Sequence, residues 1–283
     1  MTANQTATKG KLSRIFTLLK ESLKGGNHDF TQGSIRRAVL LLAIPMMLEM
    51  AMESVFALVD LYFVGHLPHS SYAIQTVGLT ESCLTIIYSL AVGMSMAATA
   101  IVARRIGEKD PVAAAKAGMQ TVTIAILVNL IIGIAGFYYA TQILTIMGAS
   151  AETARLGTNY TRIMMGESLI IVMLFLVNGI FRGAGNAAIA MRSLWIANIA
   201  NIILCPVFIN FLGFGLTGAA IATTIGRGTG VCYQLYHLFN GKHMIKGRLA
   251  YRCAHWEEIK VMTKTTMPGI LQWAIGCSSW IFL

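Results

Sequence analysis

The sequence predicts an all-α membrane protein, a bundle of six transmembrane helices followed by the start of a seventh. Three observations predict this fold. Of the 283 residues, 55% are hydrophobic and only 12% are charged, whereas soluble domains contain about 25% charged residues. Apolar stretches of about 20 residues or more, long enough to cross a bilayer as helices, recur along the whole chain. The links between them are short and rich in Gly, Pro, Asn and Asp, which end helices.

The apolar stretches divide the chain into seven segments. Their approximate bounds are 35–67, 72–102, 117–144, 160–181, 187–211, 216–239 and, for the seventh, 266 onwards. Residues 1–30 lack the apolar core of a signal peptide, and within them residues 11–23 are expected to form an amphipathic helix on the membrane surface. The predicted organisation is a cytoplasmic tail (1–30), a six-helix lobe (31–240), a cytoplasmic linker (241–265) and a truncated helix (266–283). The chain is therefore expected to be a fragment of a longer protein.

The basic residues predict the orientation of the helices. All of the 22 Lys and Arg residues except Arg155, Arg162 and Arg227 lie at helix ends or in links on one side of the predicted bundle. Because cytoplasmic loops carry an excess of Lys and Arg, this side, with the N-terminus, is expected to face the cytoplasm. Membrane topology thus accounts for the net charge of +10. Nucleic acid is not expected as a partner, since the basic residues form no single patch.

Acidic residues inside the first segment are the main candidates for function, because an ionisable group costs about 2.5–3.5 kcal/mol to insert into a membrane. At about 100° per residue, Glu53 lies about 40° and Asp60 about 20° from Glu49 around the helix. This single polar stripe is expected to face the bundle interior or a watery cavity. There the carboxylates could exchange protons or join the oxygen ligands of a cation. The alternative is that they form hydrogen bonds between helices.

The fifth segment carries a second polar stripe, composed of Asn198, Asn201 and Cys205. Pro206 follows directly, and because proline has no N–H it leaves a backbone carbonyl free. A bend with a free carbonyl is suited to an ion site in a membrane. Amide hydrogen bonds that hold helices together are the equally open alternative.

Further polar residues lie in the other segments. Asn178 and Thr223 would add oxygen ligands if their helices converge on the stripes. Glu81 and Glu167 are expected to line a cavity or to have a structural role, and Arg227 to neutralise one of the acids. The sequence contains no phosphate-binding loop, no metal-spaced His/Cys cluster and no nucleophile triad. Neither enzymatic activity nor an organic cofactor is therefore expected.

Four stretches carry a resemblance to a known family. They are residues 44–65 (IPMMLEMAMESVFALVDLYFVG), 103–110 (ARRIGEKD), 178–186 (NGIFRGAGN) and 201–223 (NIILCPVFINFLGFGLTGAAIAT). In these stretches, and in their order, the chain resembles the multidrug and toxic compound extrusion (MATE) family of bacterial and archaeal type. The resemblance extends over about residues 30 to 283.

The resemblance implies twelve helices in two six-helix lobes around a central cavity. This chain would form the N-terminal lobe and lack the C-terminal one. It further implies a secondary active antiporter in the bacterial cytoplasmic membrane, embedded in the lipid bilayer. Such a protein exports small organic compounds, often cations, in exchange for protons or sodium ions.

The resemblance also assigns residues to the coupling site. Asp60 occupies the place of an aspartate central to cation coupling, so a sodium site would lie there, and Asn178, Asn201 and Thr223 fall on a nearby polar cluster. Several relatives carry a second aspartate where this chain has Cys205, and a thiol is a poor ligand for a hard ion such as sodium. Either Asp60 acts with Glu53 instead, or the cation site is altered.

Two other functions are consistent with the sequence. A flippase for lipid-linked saccharides, from the same superfamily, would need a more cationic cavity, whereas here the predicted membrane acids outnumber Arg227. A channel or membrane-embedded assembly subunit would need no second lobe.

Overall fold

The computed structural model describes residues 17–26, 34–67, 70–240, 247, 260, 264–272 and 275. Within these residues the regular structure is helical and contains no strand, so the predicted all-α fold is confirmed. The terminal residues 1–16 and 276–283 and most of the 241–265 linker lie outside the described residues. The division into tail, lobe, linker and truncated helix therefore stays a prediction.

The helices follow one another with short connections. The first, α1, covers residues 17–24. The others are α2 (Ile35–Gly65), α3 (Ser70–Gly107), α4 (Pro111–Tyr138), α5 (Ala140–Ile146), α6 (Ala151–Gly166), α7 (Ser168–Gly183), α8 (Ala187–Pro206) and α9 (Gly215–Phe239), with a π-helical turn (Val207–Phe211) extending α8.

Five helical segments of the described chain are long and apolar enough to cross a membrane, and α6 with α7 counts as one of them. The sixth predicted span, α9, has 25 residues and is long enough but less apolar, because Arg227, Gln234 and several Gly and Thr residues lie in it. It nevertheless packs inside the bundle against α6, α7 and α8. The protein is thus a multi-pass membrane protein.

Several predicted boundaries are wrong. The second segment was expected to end at residue 102 and the third to begin at 117, whereas α3 ends at Gly107 and α4 begins at Pro111. The third segment was expected to continue to residue 144, but α4 ends at Tyr138 and α5 forms a separate short helix. The fourth was expected to begin near residue 160, whereas α6 begins at Ala151, where the Ser150 hydroxyl accepts a hydrogen bond from the Thr153 amide (3.1 Å). The first turns of α6 are rich in Thr, Asn and Arg, so their apolar pattern is weak.

Helices α3 and α7 make the closest packing in the bundle. The hydroxyl of Ser95 donates to the Phe175 carbonyl (2.8 Å) and that of Thr99 to the Gly179 carbonyl (2.9 Å). A Cβ atom added at Gly179 would collide with the carbonyl oxygen of Ser95. Small residues allow such backbone approach, which drives helix association in membranes.

Gly179→Ala is therefore expected to destabilise the protein by about 1–3 kcal/mol, the usual effect of overpacking. Unfolding in mixed detergent micelles would measure the change. Gly78→Ala is the matched control on α3, since a Cβ there meets open space and alanine favours a helix by about 1 kcal/mol. Equal stability of the two variants would contradict the proposed close packing.

Helix α1 falls largely within the residues 11–23 that were expected to be helical, and it contacts the bundle. Its position relative to the membrane surface stays a prediction. The Ser22 hydroxyl donates to the Leu41 carbonyl of α2 (3.0 Å). Arg192 of α8 donates to the last carbonyls of α1, those of Leu23 (2.7 Å) and Lys24 (2.8 Å). A basic side chain at this position satisfies carbonyls that a helix end leaves unpaired.

Arg192→Ala should release α1 from the bundle. Loss of two charge-assisted hydrogen bonds is expected to speed amide hydrogen exchange in residues 17–24 by about tenfold or more, measured by mass spectrometry. Arg155→Ala, which removes only a surface ion pair with Glu152, should leave that exchange unchanged. Unchanged exchange in both variants would show that other contacts hold α1.

The seventh predicted segment, from residue 266 onwards, is helical where the structure describes it. Residues 264–272 are helical and pack on α3, where Gly269 and Ile270 approach Gly93 closely. A helix beyond α9 therefore joins the same bundle.

Candidate functional site

A buried ion pair lies at the centre of the bundle. The α6–α7 span is interrupted at Glu167, whose side chain is fully buried. Arg227 of α9 donates one guanidinium N–H to Glu167 Oε1 (2.5 Å) and another to the Tyr88 hydroxyl of α3 (2.6 Å). The sequence predicted that Arg227 neutralises an acid, and the structure identifies Glu167 as its partner.

Two aromatic rings flank the same guanidinium. Arg227 Cζ lies 6.0 Å from the centroid of the Phe56 ring and 5.7 Å from that of Tyr88. These are distances at which a ring face attracts a cation. Helices α2 and α3 and the α6–α7 junction thus each contribute one group around the positive charge that α9 carries.

Further carboxylates lie close to this ion pair. Asp60 interacts electrostatically with Arg227 and Glu167, and Glu81 interacts with Arg227 and Asp60. Glu53 also contributes to the field at Arg227. We call the four carboxylates of Glu53, Asp60, Glu81 and Glu167 around this guanidinium the acidic chamber.

Asp60 contributes a carboxylate to the chamber. Its Oδ1 atom is buried and has no hydrogen-bond partner among the described residues, although the residue as a whole is partly exposed. Cys205, fully buried on α8, lies within the field of this carboxylate. A carboxylate oxygen left unpaired inside a membrane protein is available to a proton or a metal ion.

The other two acids of the α2 stripe have different partners. Glu49 is 7% exposed and forms an ion pair with Arg182 of α7 (3.5 Å). Glu53 accepts a hydrogen bond from the Asn198 amide of α8 (2.8 Å). The stripe faces inward as predicted, but its three acids have different partners. The hydrogen bonds of the described residues do not join Glu53 to Asp60.

The polar cluster implied by the family resemblance is divided as well. Asn201 donates to the Thr223 hydroxyl (2.9 Å), and its Oδ1 atom is buried without a partner in the described structure. The Asn178 side-chain oxygen instead accepts hydrogen bonds from Ser193 (2.9 Å) and Gln234 (2.6 Å).

Sequence reasoning missed several of these groups. Gln234 is fully buried, and the cost of a buried amide in an apolar helix was a signal that could have identified it. Phe56, Tyr88 and Ser193 gave no such signal, because aromatic and small residues are ordinary in membrane helices.

The described residues contain no group of three or more His, Cys, Asp and Glu side chains that could hold a metal ion. The unpaired oxygens of Asp60 and Asn201 are nevertheless of the type that sodium takes, whereas the Cys205 thiol is not. A sodium ion or proton here would be a transported substrate.

A bundle of membrane-spanning helices with ionisable groups gathered inside it defines the class of polytopic membrane transporters. The family model for MatE matches residues 45–207, and the chain belongs to this family. The resemblance seen in the sequence is thereby confirmed.

The relatives found by sequence are bacterial. The chain is 24% identical over 245 residues to the probable multidrug resistance protein YpnP of Bacillus subtilis, covering 87% of this chain and 54% of YpnP. It is 22% identical to the multidrug export protein MepA of Staphylococcus aureus, covering 86% of this chain and 53% of MepA. The chain thus spans about half the length of these relatives.

Solved transporter structures also match this chain, and again it spans about half of their length. A multidrug resistance MATE family transporter in an outward-facing conformation superimposes with a TM-score of 0.83 at 28% identity, over 89% of this chain and 56% of that one. A MOP superfamily transporter from Pyrococcus furiosus, for which a reversed polarity of the binding pocket is described, gives 0.80 at 28% identity over 86% and 54%.

Proposed function

We propose that this chain forms the N-terminal lobe of a secondary active antiporter, which exports lipophilic organic cations in exchange for protons or sodium ions. The observation that carries the proposal is the acidic chamber, in which the Arg227–Glu167 ion pair (2.5 Å) lies within electrostatic range of the carboxylates of Glu53, Asp60 and Glu81. With the carboxylates ionised, the chamber is negatively charged. Inside a bundle of low dielectric constant such a field attracts cations more strongly than it would in water.

Asp60 is the proposed exchange group. Its unpaired Oδ1 atom can take up a proton or contribute to a sodium site. The names of YpnP and MepA, a multidrug resistance protein and a multidrug export protein, support an exported organic compound as the other substrate. A saccharide flippase is not favoured, because the chamber is acidic.

The proposed location is the bacterial cytoplasmic membrane, with the N-terminus in the cytoplasm. Both named relatives are bacterial, and the basic residues lie mainly on the side predicted to carry the N-terminus, as expected for a cytoplasmic side.

Transport by the full-length protein in everted vesicles from cells without their own exporters tests the function. Ethidium should accumulate in the vesicles when a proton or sodium gradient is imposed, and should leave when that gradient is collapsed. An uncharged dye of similar size is the control and should not be accumulated. Accumulation equal to that of vesicles without the protein, or independent of both gradients, would contradict the proposal.

A further inference from the structure

The surroundings of Arg227 have the chemistry of a binding site for an organic cation. Phe56 and Tyr88 present aromatic rings, and Glu167 presents a carboxylate, around one positive charge. Aromatic rings combined with a carboxylate are the groups by which proteins bind guanidinium and quaternary ammonium ions. We call Phe56, Tyr88 and Glu167 the cation cage.

The cage is partly accessible. Phe56 and Tyr88 are both partly exposed, whereas Arg227 is buried. Its occupant is the end of a flexible side chain and not a backbone group, so its departure breaks no backbone hydrogen bond.

A displaced Arg227 would not remain unpaired. Asp60 and Glu81 lie within its electrostatic reach, and Asp60 Oδ1 has no hydrogen-bond partner among the described residues. A buried guanidinium without a counter-ion would be strongly unfavourable, because it cannot lose its proton. The chamber therefore supplies a second resting position for the side chain.

We propose that the cation cage is a subsite for the positively charged group of the exported compound, and that Arg227 is its tethered competitor. When a compound with one guanidinium, amidinium, quaternary ammonium or quaternary phosphonium group enters, that group replaces the Arg227 guanidinium against Phe56, Tyr88 and Glu167. Arg227 then turns to Asp60 or Glu81. The inference rests on the proposed function, since the occupant is the exported compound.

Competition by a tethered group lowers the apparent affinity of the cage for its ligand. Arg227→Met removes the competitor and keeps an apolar side chain of similar length. It should tighten tetraphenylphosphonium binding to the purified full-length protein by about tenfold, the effect of one cation–aromatic and charge contact. Equilibrium dialysis would measure the dissociation constant.

Tyr88→Phe is a milder second variant. It keeps the ring and removes the hydroxyl that accepts the 2.6 Å hydrogen bond from Arg227, so the competitor is held less firmly. Binding of tetraphenylphosphonium should tighten by roughly two- to fivefold. If the hydroxyl were only a lining group, its loss would leave binding unchanged or weaken it.

Arg162→Met is the matched control. Arg162 stacks on Phe137 at 5.4 Å, away from the cage, and its replacement should leave the dissociation constant unchanged. Unchanged or weaker binding in both Arg227→Met and Tyr88→Phe, with the folded state retained in detergent, would overturn the inference.

Direct binding separates this inference from the proposed function. If the wild-type protein exports ethidium but the cage variants bind tetraphenylphosphonium with wild-type affinity, only the cage inference is refuted. Wild-type protein that transports no cation under any gradient refutes the function itself.

Discussion

Asp60→Asn is expected to abolish ion-coupled efflux by the full-length protein while leaving it folded in the membrane. The amide has the size of the carboxylate, but it neither takes up a proton at neutral pH nor carries the negative charge that attracts a sodium ion. Because Asp60 Oδ1 makes no hydrogen bond in the described structure, few packing contacts are lost. Gradient-driven ethidium transport in everted vesicles should fall to the background of vesicles without the protein.

Glu108→Gln provides the matched control for this loss of an acid. Glu108 follows α3 in an exposed link, where hydrogen bonds from Arg104 and Arg105 lower the pKa of its carboxyl. It therefore stays ionised near neutral pH and is not expected to exchange protons during transport. Its substitution should leave efflux unchanged. If Asp60→Asn retained full efflux with the same dependence on pH and sodium, Asp60 would have no part in coupling.

Much of the fold could be predicted because it follows from local pattern. The bounds expected for the fifth segment, 187–211, agree with α8 and its π-helical turn, since an apolar run between two glycine-containing links defines them. The break at Glu167 could not be predicted in the same way. It lies inside the segment predicted as 160–181, and the charge of Glu167 is compensated by Arg227, a residue 60 positions away in the chain.

The candidate site was predicted in its residue types but not in its pairings. Helical periodicity correctly places Glu49 and Asp60 on the inward face of α2, because a polar stripe on an apolar helix avoids lipid. Which group each acid meets depends on the vertical register of neighbouring helices. Glu49 therefore pairs with Arg182, whereas Asp60 lies near Arg227, and neither result follows from sequence spacing.

Glu167→Gln is expected to destabilise the protein by about 2–3 kcal/mol, measured as the free energy of unfolding in mixed micelles. The substitution leaves the buried guanidinium of Arg227 without its ion-pair partner (2.5 Å in the wild type). Arg227→Met should cost less, because a carboxylate left alone can neutralise itself by taking up a proton and a guanidinium cannot. Equal costs for the two single variants would argue against this asymmetry.

The cost of Glu167→Gln should also depend on Asp60. Breaking an isolated buried pair costs about 3–5 kcal/mol, and the smaller value expected here reflects Asp60 acting as a substitute partner for Arg227. Asp60→Asn alone should therefore be nearly neutral for stability. In the Glu167→Gln background the same substitution should lower the free energy of unfolding by about 1–2 kcal/mol more. This is more than the roughly 0.5 kcal/mol by which mutations at independent sites deviate from additivity. Strict additivity would mean that Asp60 does not receive the guanidinium, and the second resting position of Arg227 would then have to be provided by Glu81.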